Sequence, residues 1–423
     1  MSLEIGTNWA GNLAFGAQRI VAPTTAREVQ DVLADAASTG ARVRAVGSRH
    51  SFNTIADTPG VLLATSALDS APVIDEAART VTVGAGIRYG ELGAELQRAG
   101  WALSNLASLP HISVAGAIAT GTHGSGNRVP SLAAAVAGLE LVTASGDIVT
   151  LRRGDADFDA AVVSLGALGI VTRVTLDIEP TFDVAQHVYE RLPLERVLEN
   201  FDAISGAGYS VSMFTTWRDP DTVDQVWVKR RVDADAAAPT DMFGALPASV
   251  ARHPLPGISA EFCTAQLGAP GAWIDRLPHF RLDFTPSNGD ELQTEYLVPR
   301  TRIGDALEVM RAMHERVAPL LQVNEIRTVP ADDLWLSPAY GHDVVGLHLT
   351  WLPAQADVEV LLAELEERLL PLGARPHWGK LFAADSAALH AAYPKLADFR
   401  GVAERYDPNS MFRNDFVRRV FGA

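Results

Sequence analysis

The chain has 423 residues, too many for one ordinary hydrophobic core, and its 48% hydrophobic and 20% charged residues suit a globular protein without a long disordered tract. With 35 Lys plus Arg against 51 Asp plus Glu, the net charge of −16 argues against nucleic acid or an anionic membrane surface as a partner. Cys263 is the only cysteine, which excludes an internal disulfide and any multi-cysteine metal site, so a buried inert thiol in a reducing compartment is expected.

The N-terminal stretch through Trp9 has neither a basic region nor an apolar run of signal length, and no stretch reaches about 18 apolar residues, so a cytoplasmic protein without a membrane span is expected. Thr25 and Glu28 read as a capping box. The helix they open runs about four turns, with Val29, Val32, Leu33, Ala36 and Ala37 as its apolar stripe and Gly40 as its stop. A short strand over 43–46, the glycyl segment Gly47-Ser48-Arg49-His50-Ser51-Phe52-Asn53 and a strand over 61–64 follow. Another strand over 80–83 leads through Gly84-Ala85-Gly86 into a helix that turns Leu92, Leu96 and Ala99 inward before Gly100. Strands over 139–143 and 148–151 are joined by Ala144-Ser145-Gly146-Asp147, which is hairpin chemistry. A longer strand over 170–178 ends at Glu179-Pro180, where the first domain boundary is set.

From about residue 291 the order changes to strand 291–298, helix 302–317, strand 321–329, strand 343–351, helix 355–370 and a strand near 373–379. This β-α-β-β-α-β series is a split unit whose second and third strands are antiparallel neighbours. Leu307, Met310, His314 and Val317 support its first helix, and Val358, Leu362, Leu365 and Leu369 its second. The fold class is therefore α+β.

Several motifs fail on inspection. Gly84-Ala85-Gly86-Ile87-Arg88-Tyr89-Gly90 follows a strand, but its third glycine falls one place late and Tyr89 is bulky where a nicotinamide-binding turn needs close packing. His314-Glu315 begins like a zinc-protease helix, yet Ala318 stands where the second ligand belongs, and no metal is expected. Neither a G-x-S-x-G elbow nor a G-x-x-x-x-G-K-[ST] loop occurs.

Two features carry information. The first is the density of glycine, serine and threonine in 47–51, 107–116 and 120–126, which lets backbone N–H groups approach an anion without a cationic side chain; taken singly, each segment reads as a tight turn. The second is Glu325 with Arg327 on one strand and His348 with Thr350 on the next. Within each pair the side chains share a face, and if register permits all four converge; the alternative is an exposed cross-strand ion pair of little worth. Leu347, Leu349 and Trp351 take the opposite face and should meet the helices.

With Arg375-Pro376-His377-Trp378-Gly379-Lys380, these segments resemble the vanillyl-alcohol-oxidase-type flavoproteins, and within them the bacterial alditol (xylitol) oxidases, over essentially the whole chain. The resemblance implies a two-part FAD-binding domain over 1–180, a substrate (cap) domain with a large antiparallel sheet flanked by helices over 181–375, and a C-terminal segment over 376–423 that returns to complete the active site. It implies FAD linked covalently through its 8α-methyl to His50. Ala45, Val46, Gly47, Ser48, Arg49, Ser51, Ser108, Ser113, Gly116, Thr120, Gly121, Thr122, His123, Val171 and His348 match FAD-contacting positions. Ser108, Glu325, Arg327, Thr350 and Lys380 match positions lining the polyol site. The implied reaction is oxidation of the terminal primary hydroxyl of an alditol, with oxygen reduced to hydrogen peroxide, by a monomer. Arg327 and Lys380 would stabilise the developing alkoxide, Glu325 would orient a hydroxyl, and either Lys380 or His348 would take the proton. An aldonolactone oxidase or dehydrogenase of the same family is the nearest alternative, and a flavin-binding protein without turnover a more distant one. One departure is visible: Arg49 precedes His50 where glycine is frequent in relatives.

Overall fold

The computed structural model describes residues 4–68, 71–283 and 291–422, which leaves Met1, Ser2 and Leu3 of the stretch inspected for a signal outside the described residues. Two larger sheets, and a two-stranded pairing of Trp101–Ala102 with Glu179–Pro180, form the N-terminal half of the described residues. A three-stranded parallel sheet orders Arg19–Val21, Val61–Ala64 and Val43–Val46. The helix Ala26–Thr39 covers it. Thr25 Oγ1 accepts from Glu28 N at 3.1 Å, and Gly40, at φ +70°, ends the helix in the left-handed region that glycine enters without strain. Its buried stripe is narrower than expected: Val29, Leu33 and Ala36 are buried, Val32 is half-buried, and Ala37 faces solvent because it lies one position past the inward line. Ala99 is exposed for another reason: the helix Tyr89–Arg98, whose Leu92 and Leu96 are buried, ends before it and leaves it as the C-cap.

A five-stranded antiparallel sheet orders Val73–Asp75, Thr80–Gly84, Ile170–Asp177, Val136–Val142 and Ile148–Arg152, the last two forming the expected hairpin. Residues 411–421 return to this half. Asn414 Nδ2 donates to the carbonyls of Thr54, Ile55 and Asp57 at 2.8–3.1 Å, and buried Arg44 donates to Phe412 O at 2.8 Å.

The other large element is a nine-stranded antiparallel sheet. Its order is Leu246–Pro247, Asp183–Pro193, Thr222–Arg231, Ser210–Thr215, Leu321–Val329, Val344–Trp351, Leu292–Pro299 and Arg375–Pro376, with Gly271–Ala272 beside Asp183–Pro193. The last four strands of that path are the split unit, its second and third strands antiparallel as expected. Leu347, Leu349 and Trp351 are buried against Val358, Leu362, Leu365 and Leu369. The expected helix over 302–317 is two, Ile303–Ala312 and His314–Val317. They break at Met313, which is buried while His314 is partly exposed. The strand expected near 373–379 shrinks to Arg375–Pro376, because Pro376 lacks a donor and His377–Lys380 closes into a turn, Lys380 N donating to His377 O at 3.1 Å. Cys263 is buried and free, and burial pushes its thiol up to about 12.

Candidate active site

The glycine-serine segments line one cleft with about 1520 Å³ of empty space, part of it open to solvent. Gly47 ends the Val43–Val46 strand where a Cβ would stand 2.1 Å from Ser113 Oγ. Only glycine lets the two segments close on each other. Ser48 Oγ then accepts from Ser113 N at 3.0 Å. Ala45 to Ser51, Ser108, Ser113, Gly116, Thr120, Thr122, His123 and Val171 all line the cleft. Gly121 does not: at φ +71° it turns the chain behind the wall, where a Cβ would meet Pro338 at 3.0 Å.

The His50 segment is tied down from both sides. Asn53 Nδ2 donates to the carbonyls of Trp378 and Lys380 at 2.8 and 2.7 Å, and Phe52 N to Gly379 O at 2.8 Å, which fixes Lys380 at the cleft. On the other side lies an N-terminal strap. Trp9 N donates to Arg49 O at 2.8 Å, Asn8 Nδ2 to Ser51 O at 2.9 Å and Asn12 Nδ2 to Phe52 O at 3.0 Å. Arg49 has φ +62°, a left-handed conformation that explains why glycine suits this position. Its guanidinium is occupied by the carbonyls of Ile5 and Glu4 at 2.8 and 3.0 Å and lies 5.6 Å from the Phe15 ring centroid. The Trp9 ring stacks on His50 at 5.4 Å and 17°. His50 Nδ1 is buried with no hydrogen-bond partner, and burial pulls the imidazole down to about 4, so it is neutral at ordinary pH. The sequence offers no periodic signal for Trp9; only the three-dimensional course of the strap brings it to His50.

The far end of the cleft is the polar face of the nine-stranded sheet. Its register puts Glu325 opposite His348, and His348 opposite Glu295 on the next strand; Arg327 faces Gly346, and Thr350 faces Val323 and Gln293. Glu295 is the centre. It accepts from Arg327 Nη2 at 2.6 Å, and Lys380 Nζ and His123 Nε2 each lie 3.1 Å from its oxygens. Gly346 makes this possible, since a Cβ there would stand 2.9 Å from Glu295 Oε1. Glu295 is 1% exposed, Glu325 4% and Arg327 6%, so the alternative of an exposed ion pair fails. Glu325 sits behind the cleft wall with Arg327 Nε 3.7 Å and His348 Nδ1 3.8 Å from its Oε2. Thr350 is buried beside it, and neither residue lines the cleft. Glu295 and Gln293 carry the same two-residue spacing as Glu325 and Arg327, on the strand Leu292–Pro299.

Burial pushes the Glu295 carboxyl up, but Arg327, Lys380 and His123 outweigh it and hold the group well below the usual carboxylate range. Glu325 is likewise lowered against its burial, by Arg327 and His279. Burial lowers Lys380, with Glu295 opposing and Arg327 adding to the shift. Burial and the cations hold His348 and His377 well below the usual histidine range, so both are neutral. Two carboxylates and two cations therefore balance. Glu295→Gln leaves Arg327 and Lys380 without their shared counter-charge, a loss on the order of 3–5 kcal/mol in urea unfolding; a change below about 1 kcal/mol contradicts this assignment.

Residues 17–152 match the FAD binding domain model, and residues 289–420 the D-arabinono-1,4-lactone oxidase model. Alditol oxidase of Streptomyces sp. (strain IKD472 / FERM P-14339) is 51% identical over 97% of this chain and 98% of its own. L-gulono-1,4-lactone dehydrogenase of Mycobacterium tuberculosis is 32% identical over 99% of both chains, and L-gulonolactone oxidase of Mus musculus 28% over 98% and 97%. Cholesterol oxidase from B. sterolicum shares the fold, with a TM-score of 0.79 at 16% identity, over 98% of this chain and 96% of that one. The cleft fits FAD: glycines 47 and 116 clear its wall, its apolar lining suits a ring system, and an unpartnered imidazole nitrogen is buried at His50. The chain belongs to the FAD-binding, vanillyl-alcohol-oxidase-type flavoprotein family.

Proposed function

We propose that the protein oxidises the terminal C1 hydroxyl of alditols such as xylitol and sorbitol to the aldose, one oxygen molecule being reduced to hydrogen peroxide for each alcohol oxidised. The observation that carries the reading is the cluster at the end of the FAD cleft in which Arg327 and Lys380 are balanced by Glu295 and, behind it, Glu325. It offers hydrogen bonds to a neutral polyhydroxy molecule without demanding an anion, and the similarity to alditol oxidase agrees with it. Bound FAD supplies the two-electron acceptor, with Ala45 to Ser51, Ser108, Ser113, Gly116, Thr120, Thr122, His123 and Val171 around it and His50 as the residue that bonds to it.

Arg327 and Lys380, fixed by Glu295, stabilise negative charge as it develops on the substrate oxygen. His348 is the proton acceptor in this reading. Its Nε2 meets Gln293 Oε1 at 3.0 Å while the Gln293 amide nitrogen donates to Glu291, so the Nε2 proton is committed and the lone pair is on Nδ1. Lys380 stays paired with Glu295. Glu325 stands behind Arg327, its Oε2 3.7 Å from Arg327 Nε, and Ser108 lines the cleft.

A second reading, oxidation of an aldonolactone, draws on the lactone-oxidase match over 289–420 and on the lactone-acting relatives. Peroxide release from xylitol, sorbitol and an aldonolactone separates the two: turnover confined to the polyols is expected, and turnover confined to the lactone overturns the main reading. Acid precipitation tests the bond at His50. The wild-type pellet should stay yellow and that of His50→Ala should lose its colour to the supernatant; a colourless wild-type pellet means FAD is held without the bond.

A further inference from the structure

Behind Glu325, away from the cleft, stand a lysine and a histidine that the reading above does not use. Lys229, on the Thr222–Arg231 strand, is 1% exposed. Its Nζ donates to Leu277 O, to Pro278 O at 3.1 Å and to His279 Nδ1 at 3.1 Å. An ammonium has donors only, so His279 Nδ1 accepts and the ring proton sits on Nε2. That nitrogen donates to Glu325 Oε1 at 2.7 Å. Phe214 and Trp227 wall the ring edge-on at 5.4 and 5.3 Å and fix its plane. The backbone of the same residue reaches the cleft, His279 N donating to Ser108 O at 3.2 Å. Among the described residues no carboxylate lies within ion-pair distance of Lys229, so its charge is answered by Glu325 through the histidine.

We propose that Lys229 and His279 are positioning residues for the alcohol-oxidising site. They occupy Glu325 Oε1 with one donor of defined tautomer, leave Oε2 free to face the Arg327 guanidinium, and tie the Ser108 segment to the same point. A directional bond matters here because Glu325 Oε2 lies 3.7 Å from Arg327 Nε, beyond hydrogen-bond range, while the bond from His279 Nε2 to Oε1 at 2.7 Å fixes the carboxylate. The inference rests on the alditol-oxidising reading for its kinetic consequence and on geometry alone for the relay. Burial lowers the Lys229 ammonium to about 7, so it is charged below that pH and neutral above it. The titratable and charged groups that bear on it are His279, Glu325 and Cys263, with Arg327 beyond Glu325. The thiol is uncharged at this pH.

Two measurements on the FAD-loaded protein test this, with melting temperature and flavin absorbance as controls. The first is nitrogen NMR of histidine-labelled protein, with the His279 signal identified by its loss in His279→Gln. A proton on Nε2 and a Lys229→Met-sensitive Nδ1 are expected; a proton on Nδ1 overturns the relay. The second is steady-state kinetics with xylitol. His279→Leu should lower kcat by about 10- to 100-fold at unchanged FAD content, and His279→Gln, which keeps a donor toward Glu325, should recover most of the loss. Adding Lys229→Met to His279→Leu should cost nothing further, because residues that act through one another are not additive. Wild-type kcat/KM should fall as pH rises through about 7, and the step should vanish in Lys229→Met. A fully additive double variant, or a glutamine no better than leucine, overturns the proposal. Should the wild type oxidise no polyol, the functional reading fails, and the NMR result alone supports or overturns the relay.

Discussion

One buried carboxylate organises the site. Glu295 is almost fully enclosed, yet it is answered by Arg327, Lys380 and His123, which come from a neighbouring region of the sheet, the turn after Arg375–Pro376 and the glycine-serine segment of the N-terminal half. Taking such charges out of water costs several kcal/mol for each ion, so the cluster persists only because its geometry is good and every partner is held. The sheet supplies that geometry. An antiparallel register one residue out would exchange the polar row for the Leu347, Leu349 and Trp351 face of the core, and any side chain at position 346 would fill the gap across which Glu295 and Arg327 meet.

From that point the rest of the site follows in both directions. Along the cleft, Asn53 clamps the His377–Lys380 turn to the His50 segment, so Lys380, which reaches Glu295, and His50 are fixed by the same few hydrogen bonds. The strap through Asn8, Trp9 and Asn12 holds that segment from outside and absorbs the Arg49 side chain into its own carbonyls. Away from the cofactor, His279 and Lys229 brace Glu325 while a backbone bond joins the same residue to Ser108. Charge balance at the centre and rigid bracing around it are what a site for an uncharged, hydroxyl-rich molecule requires.

The architecture was legible where the pattern was local. Apolar spacing in 355–369 and 303–312 exposed the helices of the split unit, and the change of order after residue 291 marked that unit off. Glu325 and Arg327 were legible as a pair on one face. What they pair with was not, because register between strands distant in the chain depends on the whole sheet. Glu295 therefore went unnoticed although its spacing from Gln293 carries the same signal. The strands Asp183–Pro193, Ser210–Thr215 and Thr222–Arg231 were missed because they are buried on both faces and carry Gln186, Ser212, Gln225 and Lys229 among apolar residues, which erases the alternation a half-exposed strand would show. Lys229 lies on the last of these strands, and His279 in irregular chain beyond it. Likewise, Met313 rather than His314 turned inward because the helix breaks there, and nothing in the residue types marks the break.

The most direct test of the central role of Glu295 is the anaerobic rate at which xylitol bleaches the bound flavin, compared among wild type, Glu295→Asp and Glu295→Gln at equal FAD loading. Retention of the carboxylate in Glu295→Asp should keep the rate within about tenfold of wild type, and its loss in Glu295→Gln should lower the rate by roughly a hundredfold or more, the scale for removing a preorganised electrostatic contact. A Glu295→Gln protein that is folded, fully loaded and bleached as fast as wild type would contradict the account.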